Sequence, residues 1–351
     1  MNRRVLIIGG GLSGLCLAYY LQQQQYEPIV LEAASRFGGR IQTVKGEHDT
    51  PLELGATWFS IQHPALLALL TELGLQRYEQ YATGITLFQT KSFEPVQQFV
   101  VPESEAPSFR IAGGTQRLIE ALVAQLPAQH LHLRQQVVQV REAGDEVEVL
   151  TADGSCHRGA RAVICLPPQL AAATLAFIPA LPAAITQLLP QVHTWMAGSV
   201  KFALEYPNAF WRAAGYSGML YSHAGIIAEM YDHTNYEADR FGFTGFLASG
   251  AAGFEPAVRR ELVLKQLVTL FGPEAGQPSA YFDKVWNDEY VVVGSPLIRY
   301  PHQYNGEPLL HQSHLSGKLF FCGTETATAH SGYMEGAITA AQQLTAALGK
   351  R

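Results

Sequence analysis

Charge is scarce in this chain of 351 residues: 15% are Asp, Glu, Lys or Arg, and the net charge is −6. No dense basic run is present, which argues against nucleic acid as a partner. No apolar stretch reaches the roughly twenty residues of a membrane helix, so a soluble protein without a membrane anchor is expected. Asn2-Arg3-Arg4 precedes an apolar run, but that run is too short for a signal peptide and ends in glycines. The four cysteines, Cys16, Cys156, Cys165 and Cys322, lack metal-ligand spacing and are expected to be reduced core residues of a cytoplasmic protein. No two of the twelve histidines stand at ligand spacing with carboxylate support, so no metal site is expected. A Gly-x-Ser-x-Gly elbow is missing, which argues against hydrolase chemistry. Internal repeats and low-complexity segments are missing too. What is plentiful is hydrophobic residues, 48% of the chain, enough for one large domain or two interleaved ones.

The amino-terminal block carries the clearest pattern. Residues 5–8 are an apolar run suited to a buried parallel strand. Gly9, Gly11 and Gly14 follow with G-x-G-x-x-G spacing, flanking Leu12 and Ser13. The first glycine permits a tight turn, the second lets backbone approach a pyrophosphate, and the third lets a helix pack on the strand. The helix is expected over 15–21, with its amino-terminal amides facing the phosphates. A second strand over 28–31 leads to Glu32 and Ala33, where a carboxylate accepts hydrogen bonds from ribose hydroxyls and disfavours a 2′-phosphate. Arg36 and Arg40 then flank Gly38 and Gly39. Arg40 is placed to donate to the pyrophosphate. That extension is typical of FAD-dependent oxidoreductases and not of nicotinamide dehydrogenases.

Further along, a helix is expected over 63–73, short strands and loops over 81–109, and a helix over 115–126 after Gly113-Gly114. Strands over 130–142 and 146–151 meet in a hairpin turn at Ala143-Gly144-Asp145. A strand over 160–165 stops at Pro167-Pro168, and a helix follows over 181–189. Residues 199–206 alternate as a strand, further strands run through 218–248, and 256–270 read as an amphipathic helix. The segment 286–299 leads back to a last strand over 318–321 and a helix over 332–349. That helix contains Gly336, Ala337, Ala340 and Ala341, small residues that allow close packing. Its amino end at Tyr333 and Met334 suits either the negative charge of a reduced flavin or ordinary docking on a sheet.

Together these motifs resemble the flavin-containing amine oxidases, and the monoamine oxidases in particular. Gly323-Thr324-Glu325-Thr326-Ala327-Thr328, then Ser331-Gly332-Tyr333-Met334-Glu335-Gly336-Ala337, is close to that family's carboxy-terminal signature. The glycine turn, Glu32, residues 36–40 and Glu53-Leu54-Gly55-Ala56 match as well. The resemblance implies an α/β fold: a Rossmann-type FAD-binding domain with an inserted α+β substrate domain on a mixed or antiparallel sheet. The cofactor domain is expected over 1–60, 112–168 and 300–351, and the substrate domain over 61–111 and 169–299. The resemblance also implies non-covalent FAD, held additionally by Gly55, Ala56, Thr57, Trp58, Val137, Cys165, Gly323, Thr324, Gly332, Tyr333, Met334 and Ala337. Ser295 aligns where mitochondrial members attach the flavin through cysteine.

Three side chains carry the implied catalysis. Lys201 matches a lysine that holds water beside flavin N5; as a residue on an alternating strand it also reads as a half-exposed surface lysine. Tyr333 matches one wall of an aromatic cage at the flavin face, but Pro296 stands where the family's second tyrosine is expected. Trp286 matches a tryptophan near the flavin and also reads as a core aromatic. His330 is a further candidate to face the site. The leading reading is oxidation of a small-molecule amine with O2 as acceptor, releasing H2O2. Two others stay open: an FAD-dependent desaturase or oxidase of a protoporphyrinogen- or carotenoid-like substrate, and a non-catalytic flavin-bound assembly or sensor protein. Residues 75–110 replace a much longer family insertion, so an open active site is expected, accessible to a partner chain or a second copy.

Overall fold

A computed structural model describes residues 3–102, 107–287 and 292–349. Asn2 and the parts of the segments 81–109 and 286–299 at 103–106 and 288–291 lie outside the described residues.

The strand Arg4–Ile8 sits at the centre of a five-stranded parallel sheet. Arg161–Ile164 and then Leu319–Phe321 lie to one side, Glu27–Leu31 and Leu131–His132 to the other. Both faces are covered, which is why these strands read as unbroken apolar runs. Val5 and Ile7 face a core shared with the helices Leu12–Gln23, Pro64–Glu72, Gln116–Ala124 and Met334–Gly349. Leu6 and Ile8 face the opposite core, where Val140, Val147 and Val149 of a four-stranded sheet meet Ala171, Ile185 and Leu189. Packing thus places the helix Pro64–Glu72 and the segment 168–192 against the cofactor-side sheet.

The single strand expected over 130–142 is two strands in two sheets. Leu131–His132 closes the edge of the parallel sheet, and Val137–Ala143 begins the hairpin. Between them Arg134 takes a positive φ of 57°, and the amides of Arg134 and Gln135 turn back to the carbonyls of Ala34 and Glu32. Cys156 was expected in the core; it is exposed, on an edge strand, Cys156–Gly159, that the alternation did not reveal.

The second large sheet has seven strands: Ala280–Val285, Val200–Tyr206, Phe241–Leu247, Ile227–Asp232, Tyr216–Ser222, Ile85–Gln89 and Gln97–Val100, in that order. One pairing, Tyr216–Ser222 with Ile85–Gln89, is parallel and the rest are antiparallel, as expected of a mixed sheet. The helix Pro256–Phe271 covers one face through Val263 and Leu267. The segment 75–110 contributes short strands and, among the described residues, no helix. A small hairpin, Thr43–Lys45 with Pro51–Glu53, bridges the two halves. Leu52 and Leu54 pack on Ala203, and the Thr244 hydroxyl donates to the Glu53 carbonyl at 3.0 Å. This bridge brings the loop after Glu53 against the strand that carries Lys201. Among the described residues, no helix is long and apolar enough to cross a membrane.

Candidate active site

Two connected cavities run from the glycine turn to Lys201. The narrower, of about 300 Å3, is floored by Gly9, Gly11, Leu12 and Ser13 and walled by Glu32, Ala33, Gly39, Val137 and Cys165. Gly323, Thr324 and Ala337 close it from the carboxy-terminal side. The wider, of about 880 Å3, contains Gly55, Thr57, Trp58, Lys201 and Trp286. Arg40, Ala56, Gly332, Tyr333 and Met334 border both, so the two form one path. Gly14 and Arg36 line neither cavity. Gly14 lies beneath the turn, and Arg36 donates to the carbonyls of Phe37, Gly39 and Ile41, holding the loop that presents Arg40.

The narrow cavity has features that suit the phosphate and ribose end of a dinucleotide. A Cβ on Gly11 would meet only Gly39 Cα, at 3.9 Å, so the space above the turn is open. The helix Leu12–Gln23 starts without a side-chain cap, leaving its first amides for an anion. Glu32 accepts from the amides of Gly10 and Ala34 at 2.7 and 2.8 Å, which fixes the carboxylate at the groove wall. Each oxygen retains a lone pair for a ribose hydroxyl. Arg40 makes a bidentate pair with the buried Glu325, at 2.7 and 3.1 Å. The carboxy-terminal signature thereby orients the arginine expected at the pyrophosphate. Glu335 of the same signature accepts from the amides of Ala65 and Leu66 at 2.9 and 2.8 Å, capping a helix that has no side-chain cap of its own.

At the wide end, Lys201 is 1% exposed, so the surface alternative is excluded. Its whole strand is buried, because the bridging hairpin and the sheet's helix leave neither face open. The ammonium donates to the Gly55 carbonyl at 2.6 Å and to the Thr57 hydroxyl, and lies 4.7 Å from the Trp58 ring centroid. Burial pushes its pKa down to about 7, with Glu53 opposing the shift. Below about pH 7 the folded protein holds a buried charge; above it, up to the ordinary value of about 10.4, the unfolded chain binds a proton that the folded chain does not. Stability therefore rises with pH across that window. The melting temperature of the wild type relative to Lys201→Met is expected to climb from about pH 7 toward about pH 10. A gap that does not change with pH would contradict the placement.

Trp286 is buried, and its indole donates to the Leu54 carbonyl at 2.7 Å, tying the loop after Glu53 to the cavity wall. Tyr333 lies at the junction of the cavities, 43% exposed. His330 makes an edge contact with His63 at 5.1 Å, and neither histidine lines the wide cavity. Pro296 and Ser295 line neither cavity. The rings beside Tyr333 are instead Trp195, with centroids 6.3 Å apart and planes 31° from parallel, His302, stacked at 6.4 Å, and His63 at 6.0 Å; of these Trp195 lines the wide cavity. Trp195 is backed by His302, stacked at 4.4 Å. A Cβ on Gly332 would fall 2.7 Å from Trp195 Cβ, so a glycine at this signature position admits the tryptophan. Sequence reasoning missed Trp195, because no spacing within the chain links it to Tyr333.

The chain matches the model of the family described as flavin containing amine oxidoreductase over residues 12–100 and 86–348. It is 25% identical to a probable flavin-containing monoamine oxidase A of Dictyostelium discoideum, over 95% of this chain and 94% of that one. Its fold is similar to putrescine oxidase bound to putrescine, with a TM-score of 0.84 at 20% identity, covering 100% of both chains. It is also similar to cyclohexylamine oxidase from Brevibacterium oxydans, with a TM-score of 0.83 at 21% identity, over 100% of this chain and 99% of that one. A groove shaped for a dinucleotide, opening onto a buried lysine, takes its chemistry from this kinship: the chain belongs to the flavin-containing amine oxidoreductases and is an FAD-dependent amine oxidoreductase.

Proposed function

We propose that Lys201, Tyr333 and Trp286 form the reacting end of the site, and that the groove from Glu32 to Met334 holds FAD. The single observation that carries this reading is the buried Lys201 ammonium at the end of a dinucleotide-shaped path. When bound, FAD would supply the acceptor for hydride from the carbon next to the amine nitrogen, with O2 as the final oxidant giving H2O2. Lys201 presents N–H donors where negative charge develops, on a side chain removed from bulk water. Tyr333, with Trp195 in place of the tyrosine missing at Pro296, offers ring faces that favour an amine nitrogen. Trp286 holds the loop that carries the Lys201 acceptors. The groove residues divide the work of binding: Gly9, Gly11 and the first amides of the helix Leu12–Gln23 take the pyrophosphate, Glu32 the ribose, and Val137 the adenine side.

The reading assigns 1–60, 112–168 and 300–351 to the cofactor unit, and 61–111 with 169–299 to the substrate unit. The parallel sheet, which draws every strand from the first set, supports the division, whereas the helix Pro64–Glu72 and the segment 168–192 pack against that sheet and join its unit. An entrance open to a partner chain or second copy is supported by the rim at Val100, Val101 and Pro102, beside the exposed Phe99. A cytoplasmic location is supported by the thiols of Cys16 and Cys322, which pack as buried apolar side chains.

The test is anaerobic. A panel of primary amines is expected to bleach the oxidised flavin absorbance, and an equimolar burst of peroxide should follow admission of air. A flavin that no amine bleaches would overturn the assignment. The flavin is also expected to be free of any covalent link. Ser295 lies outside both cavities, and burial holds the Cys165 thiol well above its usual pKa, a poor nucleophile. Acid precipitation should release all yellow colour, and colour retained in the pellet would contradict this.

A further inference from the structure

The segment 75–110 contributes no helix among the described residues, but one of its side chains reaches the wall of the wide cavity beside the loop that carries the Lys201 acceptors. The strands Arg77–Glu79 and Phe109–Ile111 pair, and the Gln80 amide extends that pairing by donating to the Ser108 carbonyl at 2.8 Å. Phe59 and Phe109 exchange backbone hydrogen bonds at 3.2 and 2.7 Å, which stitches this pair to the loop. Gln80 therefore stands next to Trp58, the residue before Phe59.

Every polar atom of the Gln80 side chain is used. Its Oε1 accepts from the Trp58 indole N–H at 2.8 Å. Its Nε2 donates to the carbonyls of Asp232 and Tyr81, at 2.7 and 3.1 Å. These partners fix the amide orientation, because the reverse would set two donors face to face and the amide oxygen against two carbonyls. Asp232 is a firm anchor: it is fully buried, and its carboxylate accepts from Arg212, the Trp211 indole and the Thr234 amide. A neutral amide meets this demand, whereas a carboxylate would face two carbonyl oxygens and a lysine would offer the indole no acceptor. The Trp58 ring so held has its centroid 4.7 Å from Lys201 Nζ and 4.8 Å from the Tyr231 centroid. Trp58 is half-buried and lines the cavity, so an indole N–H without its acceptor would turn toward cavity water and take the ring off the ammonium.

We propose that Gln80 is a positioning residue: by tying the Trp58 indole to the end of the strand Ile227–Asp232, it keeps the ring face over the Lys201 ammonium. This rests on Lys201 marking the reacting end. With the ring in place, the ammonium is held by the Gly55 carbonyl, the Thr57 hydroxyl and the rings of Trp58 and Phe246, and ring faces beside a desolvated ammonium stabilise its charge. The segment 75–110 then serves as a strut for the reacting end.

The experiment uses the holoenzyme, its flavin reduced anaerobically by light and EDTA and then mixed with oxygen in a stopped-flow instrument. Gln80→Leu is expected to keep its flavin and to reoxidise about tenfold more slowly than the wild type, the loss expected when a ring contact to a desolvated ammonium is given up. Trp58→Phe removes the indole N–H and should slow the same step. The double variant should be no slower than Trp58→Phe alone, because Gln80 acts only through the indole. Losses that multiply, or a Gln80→Leu rate equal to that of the wild type, would overturn the proposal. Gln80→Met, of nearly the same length and volume, repeats the comparison should leucine disturb the fold. A second readout needs no turnover. With isotope-labelled tryptophan, the Trp58 indole resonance is the one lost in Trp58→Phe. In Gln80→Leu it should shift, and its N–H should exchange with solvent about tenfold faster; an unmoved resonance would also overturn the tether. If Lys201→Met reoxidises at the wild-type rate, the assignment of the reacting end fails, and the indole resonance still decides whether Gln80 holds Trp58.

Discussion

Lys201→Met is expected to leave FAD bound and to slow reoxidation by oxygen by about a hundredfold, the usual loss when one buried donor to developing charge is removed. The lysine sits far along the path from the glycine turn, and its partners are the Gly55 carbonyl, the Thr57 hydroxyl and the rings of Trp58 and Phe246. None of these is a groove contact to the pyrophosphate, so cofactor affinity should change little. Methionine nearly conserves volume and removes the charge, so the cavity keeps its shape. A hundredfold loss corresponds to about 2.7 kcal/mol of transition-state stabilisation. Stopped-flow spectroscopy separates the two half-reactions: anaerobic reduction by amine first, then mixing with oxygen. Wild-type rates in both halves would remove Lys201 from catalysis.

Gly14→Ala is expected to abolish cofactor retention. A Cβ there would lie 2.0 Å from the Gly9 carbonyl oxygen and 3.2 Å from Ile7 Cγ2. The obstacle is backbone, which cannot swing aside, so the helix Leu12–Gln23 must move off the strand Arg4–Ile8. Overpacking of this kind costs about 1–3 kcal/mol in stability. The functional loss is larger, because the displaced helix carries the amides meant for the pyrophosphate and opens the turn around Gly11. The ratio of flavin to protein absorbance after gel filtration measures it. Gly250→Ala is the control: nothing lies within 4 Å of its Cβ, so it should keep full cofactor content. Full flavin content in Gly14→Ala would contradict the close approach of helix and strand.

The features legible in the amino-acid sequence are local ones. The run 5–8, the glycine spacing and Glu32 make one strand–turn–helix–strand unit whose parts are neighbours in the chain, and it forms with boundaries only a few residues wider than the spacing predicts. The signature from Gly323 to Ala337 is legible for the same reason, as is the alternation that puts Lys201 on a strand. Alternation says which residues share a face; it does not say whether that face is covered. Lys201 is a buried ammonium only because the hairpin around Leu52 and the loop after it, with Gly55, Thr57 and Trp58, close over its face of the strand.

The split of 130–142 into two sheets turns on one left-handed residue, Arg134, and on the backbone it can reach at Ala34 and Glu32. That a dinucleotide would be held from both ends of the chain is a proposal the residues alone suggest, because each proposed binding element is a short motif of neighbouring residues. What the far end of the cavity presents is set by tertiary packing. Trp195 meets Tyr333 by packing between segments distant in the chain, a contact that no local spacing encodes.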